Sequence, residues 1–455
     1  MLRQLLLISL TVGLPVLAAA REANPALLPF IADASRTEAS VAVDYRDADD
    51  TSPVQLGSGQ TLGRFSAETF QRIGRNAAVH GDASFTFGKI REVRWNNCAD
   101  FHLVGPYVLG DSVGGDLSRK AYTFSGAYAA AAGRWSWGAG AGYRAQIDYR
   151  GHDPRLRIIV SDLDITAGGS YSFSKVRIGV SAGLRVYNQT SDLKFYNPLN
   201  DIRTYALTGL GSFYPRFSGN SSENTAYQGI GWNAGMQLRL PSADSMSQRR
   251  APAGFSCSAD LFASGITISE ILRDFNNLTL ARTANLTFGG NVRIVRGFGS
   301  WSAGAEISAH HRSKEGTENL FGSSSGNSYE VIGSRKNYTL GEFSAGLALP
   351  LRFYQGANEF AVRPSVAYSR LTEKLLSPRR ELTSDAFTPA LELRWVRPLS
   401  GRCSFAIDLR GSYAIAGNAR MNLFGQSPEA ILSPDLLHNL LATGHAASLS
   451  FSVIF

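Results

Sequence analysis

The last eleven residues of the chain, His445–Phe455 (HAASLSFSVIF), decide the fold class. From residue 447 onward one parity is apolar: Ala447, Leu449, Phe451, Val453 and Phe455. Ser448, Ser450 and Ser452 fill the other parity, and only Ile454 departs from it. This period of two predicts a β-strand with one apolar face and one small polar face. Membrane β-barrels and soluble β-sandwiches both contain such strands, so the rest of the chain must decide between them.

The alternation recurs along the chain and is clearest between Arg134 and Arg150. Apolar residues from Trp135 to Tyr149 occupy one face, and glycines with polar or charged residues occupy the other. A helix would repeat its apolar residues every three or four positions, so this unbroken parity predicts a strand. Aromatic residues lie at both ends of the apolar face, as the two interfacial girdles of a membrane-spanning strand require.

Repeats of this pattern predict about 14 to 16 antiparallel strands, because such barrels close on an even number. The lower count applies if residues 60–117 partly form a plug, and the higher count applies otherwise. Residues Tyr205–Phe213 are counted as a wall strand. Two long polar stretches, Arg312–Lys336 and Leu371–Asp385, are interpreted as loops.

The polar faces favour a membrane barrel over a sandwich. They are rich in Gly, Ser and Ala with few charges, whereas the outer faces of a soluble sandwich carry many Lys and Glu. A sandwich of about fourteen amphipathic strands would also be unusually large. The closing aromatic, Phe455, resembles the targeting signal of bacterial outer-membrane barrels. We therefore predict an all-β fold, a transmembrane antiparallel β-barrel.

Residues 1–20 have the features of a secretory signal peptide. Arg3 provides a positive start, Leu5–Leu17 an apolar core, and Ala18–Ala20 small residues for cleavage. We predict cleavage near Ala20, a barrel over residues 21–455, and residence in the outer membrane of a Gram-negative cell. Outer-membrane lipids and the β-barrel assembly machinery are the partners that this location implies.

Composition makes several classes of function improbable. The three cysteines are odd in number and form no CxxC pair, so neither a disulfide framework nor a zinc site is indicated. The net charge of +8 is spread along the chain, so nucleic-acid binding is not expected. His310 and His311 are neighbours on one strand and point to opposite faces, so they do not predict a metal site. No cofactor is expected.

Residues 88–117 form the longest irregular stretch in the first half of the chain. Long stretches without alternation are often functional, and we interpret this one as a lumen loop or plug, with an extracellular loop as the alternative. Its candidate contact residues are His102, Asp111 and Ser112. The stretch also contains the G-x-S-x-G spacing of hydrolases at Gly110–Gly114. No helix–strand pattern surrounds that motif and no triad can be assembled, so we predict that the protein is not an enzyme.

Charged and polar residues recur on the faces that parity directs into the lumen. The candidates for the lumen lining are Arg144, Gln146, Asp148, Arg150, Arg177, Arg185, Glu306, Arg394, Asp408 and Arg410. A lattice of cross-strand ion pairs that braces the wall is one interpretation, because buried charges need partners. A lining that favours anionic or polar solutes is the other.

Several short motifs carry a resemblance to a known family. At Tyr143-Arg144, Tyr149-Arg150, Asp153–Arg155, Thr208–Gly211 and Tyr214–Phe217 the chain resembles an uncharacterised family of Bacteroidetes outer-membrane β-barrel proteins. The resemblance covers most of the mature chain and implies the fold and the compartment but no substrate. It also implies a partner role, because gene neighbours in such families often include TonB-dependent transporters and surface lipoproteins.

Two main hypotheses for the function follow. The first is a porin-like barrel that passes or binds a small solute passively across the outer membrane. The second is a structural barrel that does not conduct and docks a surface lipoprotein or a TonB-dependent transporter. An outer-membrane hydrolase is the least favoured possibility, because it would need a Ser/His/Asp cluster at one rim.

Overall fold

The computed structural model describes residues 24–31, 34–48, 54–197, 203–219, 222–240, 251–323, 329–400, 403–424 and 444–455. The predicted signal peptide, residues 1–20, lies outside the described residues. The strands are β1 (Arg36–Ala48), β2 (Gly59–Ile73), β3 (Ala77–Val93), β4 (Val108–Asp111), β5 (Gly115–Ala132), β6 (Trp135–Tyr149), β7 (Arg155–Phe173), β8 (Val176–Lys194), β9 (Thr204–Gly209), β10 (Ser212–Tyr214), β11 (Ser222–Arg239), β12 (Ala251–Leu272), β13 (Leu278–Gly299), β14 (Trp301–Ser323), β15 (Tyr329–Ala348), β16 (Leu351–Gln355), β17 (Asn358–Leu376), β18 (Arg379–Ser400), β19 (Cys403–Asn422) and β20 (Gly444–Ile454).

Seventeen of the described strands form one antiparallel sheet that closes on itself. β1 pairs with β2 on one side and with β20 on the other, so that Ser40 lies opposite both Ser66 and Ser452. β15 and β16 both lie between β14 and β17 and are two pieces of one wall position, separated at Pro350, which has no N–H to donate. The wall therefore has sixteen positions (17 − 1). This confirms the predicted antiparallel barrel. The strand number is the upper one of the predicted range, although β4, within residues 60–117, lies outside the wall, which was the case for which the lower number was expected.

The two ends of the barrel differ. At one end Thr37 and Phe455 exchange backbone hydrogen bonds of 3.1 and 2.8 Å, which joins the first strand to the last residue. We call this the terminal end and the opposite end the loop end. The hairpin turn at Ser174-Lys175 lies at the terminal end and joins β7 to β8.

Large apolar side chains cover the outer face of the wall. Ile230, Leu184 and Trp135 are 73%, 64% and 64% exposed. So much exposed apolar surface is unfavourable in water and matches the hydrocarbon of a bilayer, so the barrel is of the transmembrane type. Among the described residues, no helix is both long and apolar enough to cross a bilayer.

Some sequence-based boundaries were wrong. Residues 312–323 and 329–336 continue β14 and β15, and residues 371–376 and 379–385 continue β17 and β18, so most of both predicted loops is strand. Residues 205–213, predicted as a wall strand, lie instead in a second, three-stranded sheet made of β4, β9 and β10. The physical reason is that β9 pairs with β4 on one side and with β10 on the other, inside the barrel, and not with a wall neighbour.

Candidate functional site

The lumen is occupied from the terminal end by residues 24–31, which we call the terminal segment. It contains a short 3-10 helix, Pro25–Phe30, in which Ala26 and Leu28 are buried. The Asn24 side chain begins this helix by accepting a 3.0 Å hydrogen bond from the Ala26 amide, and it donates a 2.8 Å bond to Gln237 on β11. The segment is thus fixed to the inner wall by polar contacts as well as by burial.

Inward-facing glycines make room for the terminal segment. A Cβ added at Gly138 would lie 2.7 Å from the carbonyl carbon of Pro25, and one at Gly168 would lie 2.1 Å from the Asn24 side-chain oxygen. The segment can approach the wall this closely only because those positions have no side chain. Small residues on the polar face of β6 and β7 therefore form the surface against which the terminal segment packs.

The loop end is filled by two pieces of chain, residues 94–114 and 203–219, which together we call the plug. The first piece contains the short helix α1 (Phe101–Val104) and β4, and the second contains β9 and β10. Apolar side chains of the plug, among them Trp95, Val104 and Leu207, pack against inward-facing residues of β7, β11 and β12. A second cluster joins Tyr107 and Phe217 of the plug to β12, β13 and β15. The plug thus has a hydrophobic core shared with the inner wall.

An ionic chain ties the first piece of the plug to β6, β7 and β8. The Arg144 guanidinium donates to Asp100 of the plug and, at 3.1 Å, to Asp162. Asp162 also accepts 2.8 and 2.7 Å bonds from Arg185, and Tyr187 donates a 2.9 Å bond to Asp100. Burial by itself would raise the pKa of Asp100, but the hydrogen bonds and the charge of Arg144 outweigh it and hold that pKa below its usual value.

A second, fully buried pair ties the end of the same piece to β6. Arg150 donates to both carboxylate oxygens of Asp111, at 3.1 and 3.0 Å. The two side chains are 0% and 1% exposed. Asp111 also accepts a 2.7 Å bond from the Gly114 amide, which closes the turn at Gly110–Gly114. The hydrolase-like spacing of the sequence is therefore a glycine-rich turn whose aspartate is committed to an arginine.

The other two predicted residues of the loop lie in different surroundings. The backbone oxygen of His102 accepts 3.2 and 3.0 Å bonds from Arg312 and Lys314 of β14. The His102 side chain is exposed. Desolvation by the surrounding protein, followed by the positive charge of Arg312, lowers the pKa of His102 to about 4, so the ring is neutral at pH 7. Ser112 is exposed beside the buried Asp111.

The remaining predicted lumen residues face inward, and most of them are paired. Asp148 is buried and accepts bonds of 2.7 to 3.2 Å from Arg119, while Gln146 bridges Arg144 and Asp148 at 2.8 and 3.0 Å. The Arg177 guanidinium stacks over Phe30 of the terminal segment, 3.2 Å from the ring centre. These contacts are those expected of an ion-pair lattice that braces the wall.

The inner face of β19, β20, β1 and β2, which we call the open side, differs from the rest of the lumen. By register Arg410 lies opposite Ser448 and shares the inward parity of Asp408, yet it is exposed. The side chains of Glu68 and Arg64, also inward, are 61% and 43% exposed. Small residues such as Ser448 and Ser450 fill the positions between them. This side of the lumen is lined by polar groups that water reaches.

Ion pairs also border the open side. Arg394 contacts Asp408 at 3.3 Å and Glu38 at 3.1 Å. On the inner face of β17, Arg363 contacts Glu306 of β14 at 3.4 Å and Glu392 of β18 at 3.1 Å. All ten predicted lumen residues thus face inward. Arg410 differs from the other arginines among them because it is the one that is exposed.

Sequence reasoning missed several residues that position the plug. Lys314 donates to the backbone oxygens of His102, Leu103 and Gly105, which are the carbonyls left free at the end of helix α1. Arg380 donates a 2.6 Å bond to the Leu210 oxygen of the second piece. A lysine inside an alternating stretch was the available signal for Lys314, but it lay in a region interpreted as a loop.

The family to which the chain belongs is a family of unknown function, DUF6850, whose model matches residues 25–453. No curated protein sequence matches the chain. Solved structures with a related fold include a Pseudomonas aeruginosa FadL homologue (12% identity, 96% of this chain and 93% of the other, TM-score 0.40) and the P. putida toluene transporter TodX (13%, 96% and 93%, 0.38). The ferric citrate transporter FecA is a third (9%, 93% and 79%, 0.32). Identities and scores this low carry no information about function.

Proposed function

We propose that this member of the family is a passive channel of the Gram-negative outer membrane, in which small polar solutes move along the open side of the lumen. The observation that carries the proposal is the exposure of Arg410, Glu68 and Arg64 on the inward face of the wall. A sixteen-stranded barrel is too wide for its own side chains to fill, so space that the plug and the terminal segment leave contains water.

The outer face and the topology support the location. The apolar belt requires a bilayer, and the β-barrels that cross bilayers in bacteria lie in the outer membrane. The terminal end then faces the periplasm and the loop end faces outward. The signal peptide at residues 1–20, cleavage near Ala20 and an origin in the Bacteroidetes belong to the same proposal, supported by the sequence pattern and by the resemblance of its motifs.

The lining determines which solutes fit the path. Most arginines of the lumen are paired with carboxylates. They therefore brace the wall and have little net positive charge with which to attract a solute. The exposed Arg410, which has serines beside it, is the group available to attract an anion or to bind a polar solute. We propose a mild preference for anionic or neutral polar solutes, and no enzymatic activity, since Asp111 of the serine-containing turn is committed to Arg150.

Conductance across a planar bilayer tests the channel. The purified full chain is expected to give discrete openings that are small for a sixteen-stranded barrel, because the plug occupies much of the lumen. A matched variant with residues 95–110 replaced by a short Gly/Ser linker should give larger openings. A barrel that stays sealed in both forms would refute the channel.

The plug also favours a second function, a partner barrel that does not conduct. Both pieces of the plug are anchored, one by Arg144 and Arg150 and the other by Arg380, which gives the loop end a fixed surface for docking. A surface lipoprotein or a TonB-dependent transporter is the proposed occupant. Affinity purification of the full chain from native membranes distinguishes the two functions: a stoichiometric co-purifying protein, together with zero conductance, supports docking.

A further inference from the structure

Two buried carboxylates flank a small residue on the inner wall at the loop end. Glu270 of β12 lies opposite Ala281 of β13, and Ala281 lies opposite Glu318 of β14. Glu270 and Glu318 are both 2% exposed. Since neighbouring strands are about 4.8 Å apart, the two glutamates lie on either side of an alanine whose side chain is too short to fill the space between them. The arrangement leaves a small buried site lined by oxygen atoms.

Further oxygens without partners surround the same alanine. Both carboxylate oxygens of Glu270 and the hydroxyl of Thr283 lack a hydrogen-bond partner. Thr283 is 2% exposed and lies two residues beyond Ala281 on the same face of β13. Buried polar atoms are almost always satisfied, so several such atoms around one point indicate something that binds them.

The plug covers this site with tyrosines. Tyr107 is 1% exposed, and its hydroxyl lies beside Glu318 without making a hydrogen bond of good geometry. Its ring lies against Gly316 of β14, where an added Cβ would be 2.5 Å from Cε2 and 2.6 Å from the hydroxyl oxygen. Gly316 is two residues from Glu318 on the same strand, so the Tyr107 hydroxyl points into the row of glutamates. The Tyr214 hydroxyl of the plug is a further buried oxygen without a partner.

The protein balances only part of the charge of the site. Glu318 accepts a 2.7 Å bond from Asn337 and a 3.4 Å bond from Arg335, whose side chain is 47% exposed. Within the described part of the chain Glu270 has no ion-pair partner. A buried carboxylate is strongly disfavoured unless a positive charge accompanies it or it takes up a proton.

We propose that the oxygens around Ala281 bind a hard divalent cation, with Ca²⁺ as the preferred ion, and that this ion clamps the plug to the wall. Donors made only of oxygen select hard cations, and Ca²⁺ accepts six to eight ligands in irregular geometry, whereas Mg²⁺ demands an octahedron. Among the described residues no three acidic, histidine or cysteine side chains are spaced to hold a metal. The ligands are therefore the two glutamates with neutral oxygens, the Thr283 hydroxyl first.

Terbium luminescence tests the site, because Tb³⁺ replaces Ca²⁺ and is excited by tyrosines next to it. The full chain in detergent, freed of metal by a chelator, is titrated with Tb³⁺ and then with Ca²⁺. We expect one saturable site per chain, emission excited through tyrosine, and displacement by Ca²⁺ at lower concentration than by Mg²⁺. Absence of saturable Ca²⁺ binding up to millimolar concentration would overturn the proposal and would leave only protonated glutamates at this place.

Matched variants separate the buried site from the surface. Glu270→Gln should weaken Ca²⁺ by more than about tenfold, since even residues that only support a metal ligand cost that much. Glu315→Gln is the control, because Glu315 lies on the same strand but is 60% exposed and paired with Lys336. Heat-dependent mobility on SDS gels reports whether each barrel is folded. If Glu270→Gln does not fold, Thr283→Val replaces it. Equal affinity in the wild type, the buried variant and the control would show surface binding and overturn the proposal.

Discussion

Replacing Arg150 with Met should release the first piece of the plug. The substitution keeps the length and apolar stem of the side chain but leaves the Asp111 carboxylate buried, with the Gly114 amide as its remaining donor among the described residues. Removing one partner of a fully buried pair costs about 3–5 kcal/mol, because the other charge remains without compensation. At 1.36 kcal/mol per factor of ten, that corresponds to roughly two to four orders of magnitude in the opening equilibrium of the plug.

Hydrogen exchange is the appropriate assay, because the plug can open while the barrel stays closed. Amides of β4 such as that of Leu109, which bonds to the Tyr227 hydroxyl at 3.2 Å, should exchange faster by that factor, whereas amides of the wall strands should not change. Arg157→Met is the matched control. Its pair with Asp192 is 3.5 Å long and its side chain is 59% exposed, so the expected cost is about 0–1 kcal/mol.

The double variant Arg150→Met/Asp111→Leu completes the test. Replacing both partners removes the buried charge, so protection of the β4 amides should largely return. The reasoning would be refuted if Arg150→Met and Arg157→Met changed exchange in β4 equally, or if the double variant were as open as the single one.

Three further predictions concern conduction, anchoring and pH. Arg410→Ser should reduce the preference for anions in reversal-potential measurements by about two- to fivefold, because a solute anion loses about 1 kcal/mol of attraction in an aqueous lumen. The control is Arg397→Ser, on the exposed outer face, which should have no effect. Lys314→Met should speed proteolysis of the plug, since the Gly105 carbonyl loses its bond from Lys314 and the carbonyls of His102 and Leu103 each keep one other donor, at a cost of about 1–3 kcal/mol. An unchanged rate would show that the apolar core alone holds the plug. Because the pKa of His102 is lowered to about 4, its contribution to plug stability should be full above about pH 6.5, the unfolded value, and should decrease as the pH falls toward 4. The decrease should be modest because His102 is exposed, and it should be absent in His102→Gln when plug exchange is compared across that range.

The sequence predicted the wall because alternation is a local property. In β6 and β20 the polarity of each residue indicates the face of the wall on which its side chain lies. Residues two positions apart lie on the same face and therefore have similar polarity. The rule does not hold for the ends of the long strands. Residues 312–319 of β14 are polar or glycine on both faces, so the period of two is no longer visible there.

The plug was only partly predictable for a related reason. Residues 88–117 stood out because they lack alternation. Residues 205–213 do alternate, since β9 and β10 belong with β4 to a small sheet inside the barrel. That pattern cannot distinguish a wall strand from an internal one.

The sequence by itself determined an amphipathic antiparallel barrel and the inward parity of its arginines, because both follow from contacts between residues a few positions apart. Only the tertiary structure decided which side of the lumen is filled and which is open. Those outcomes depend on pairs far apart in the chain, such as Asp111 with Arg150 and Asn24 with Gln237, 39 and 213 residues apart. No local pattern encodes such pairings, because the polarity of one residue does not indicate which distant residue it contacts.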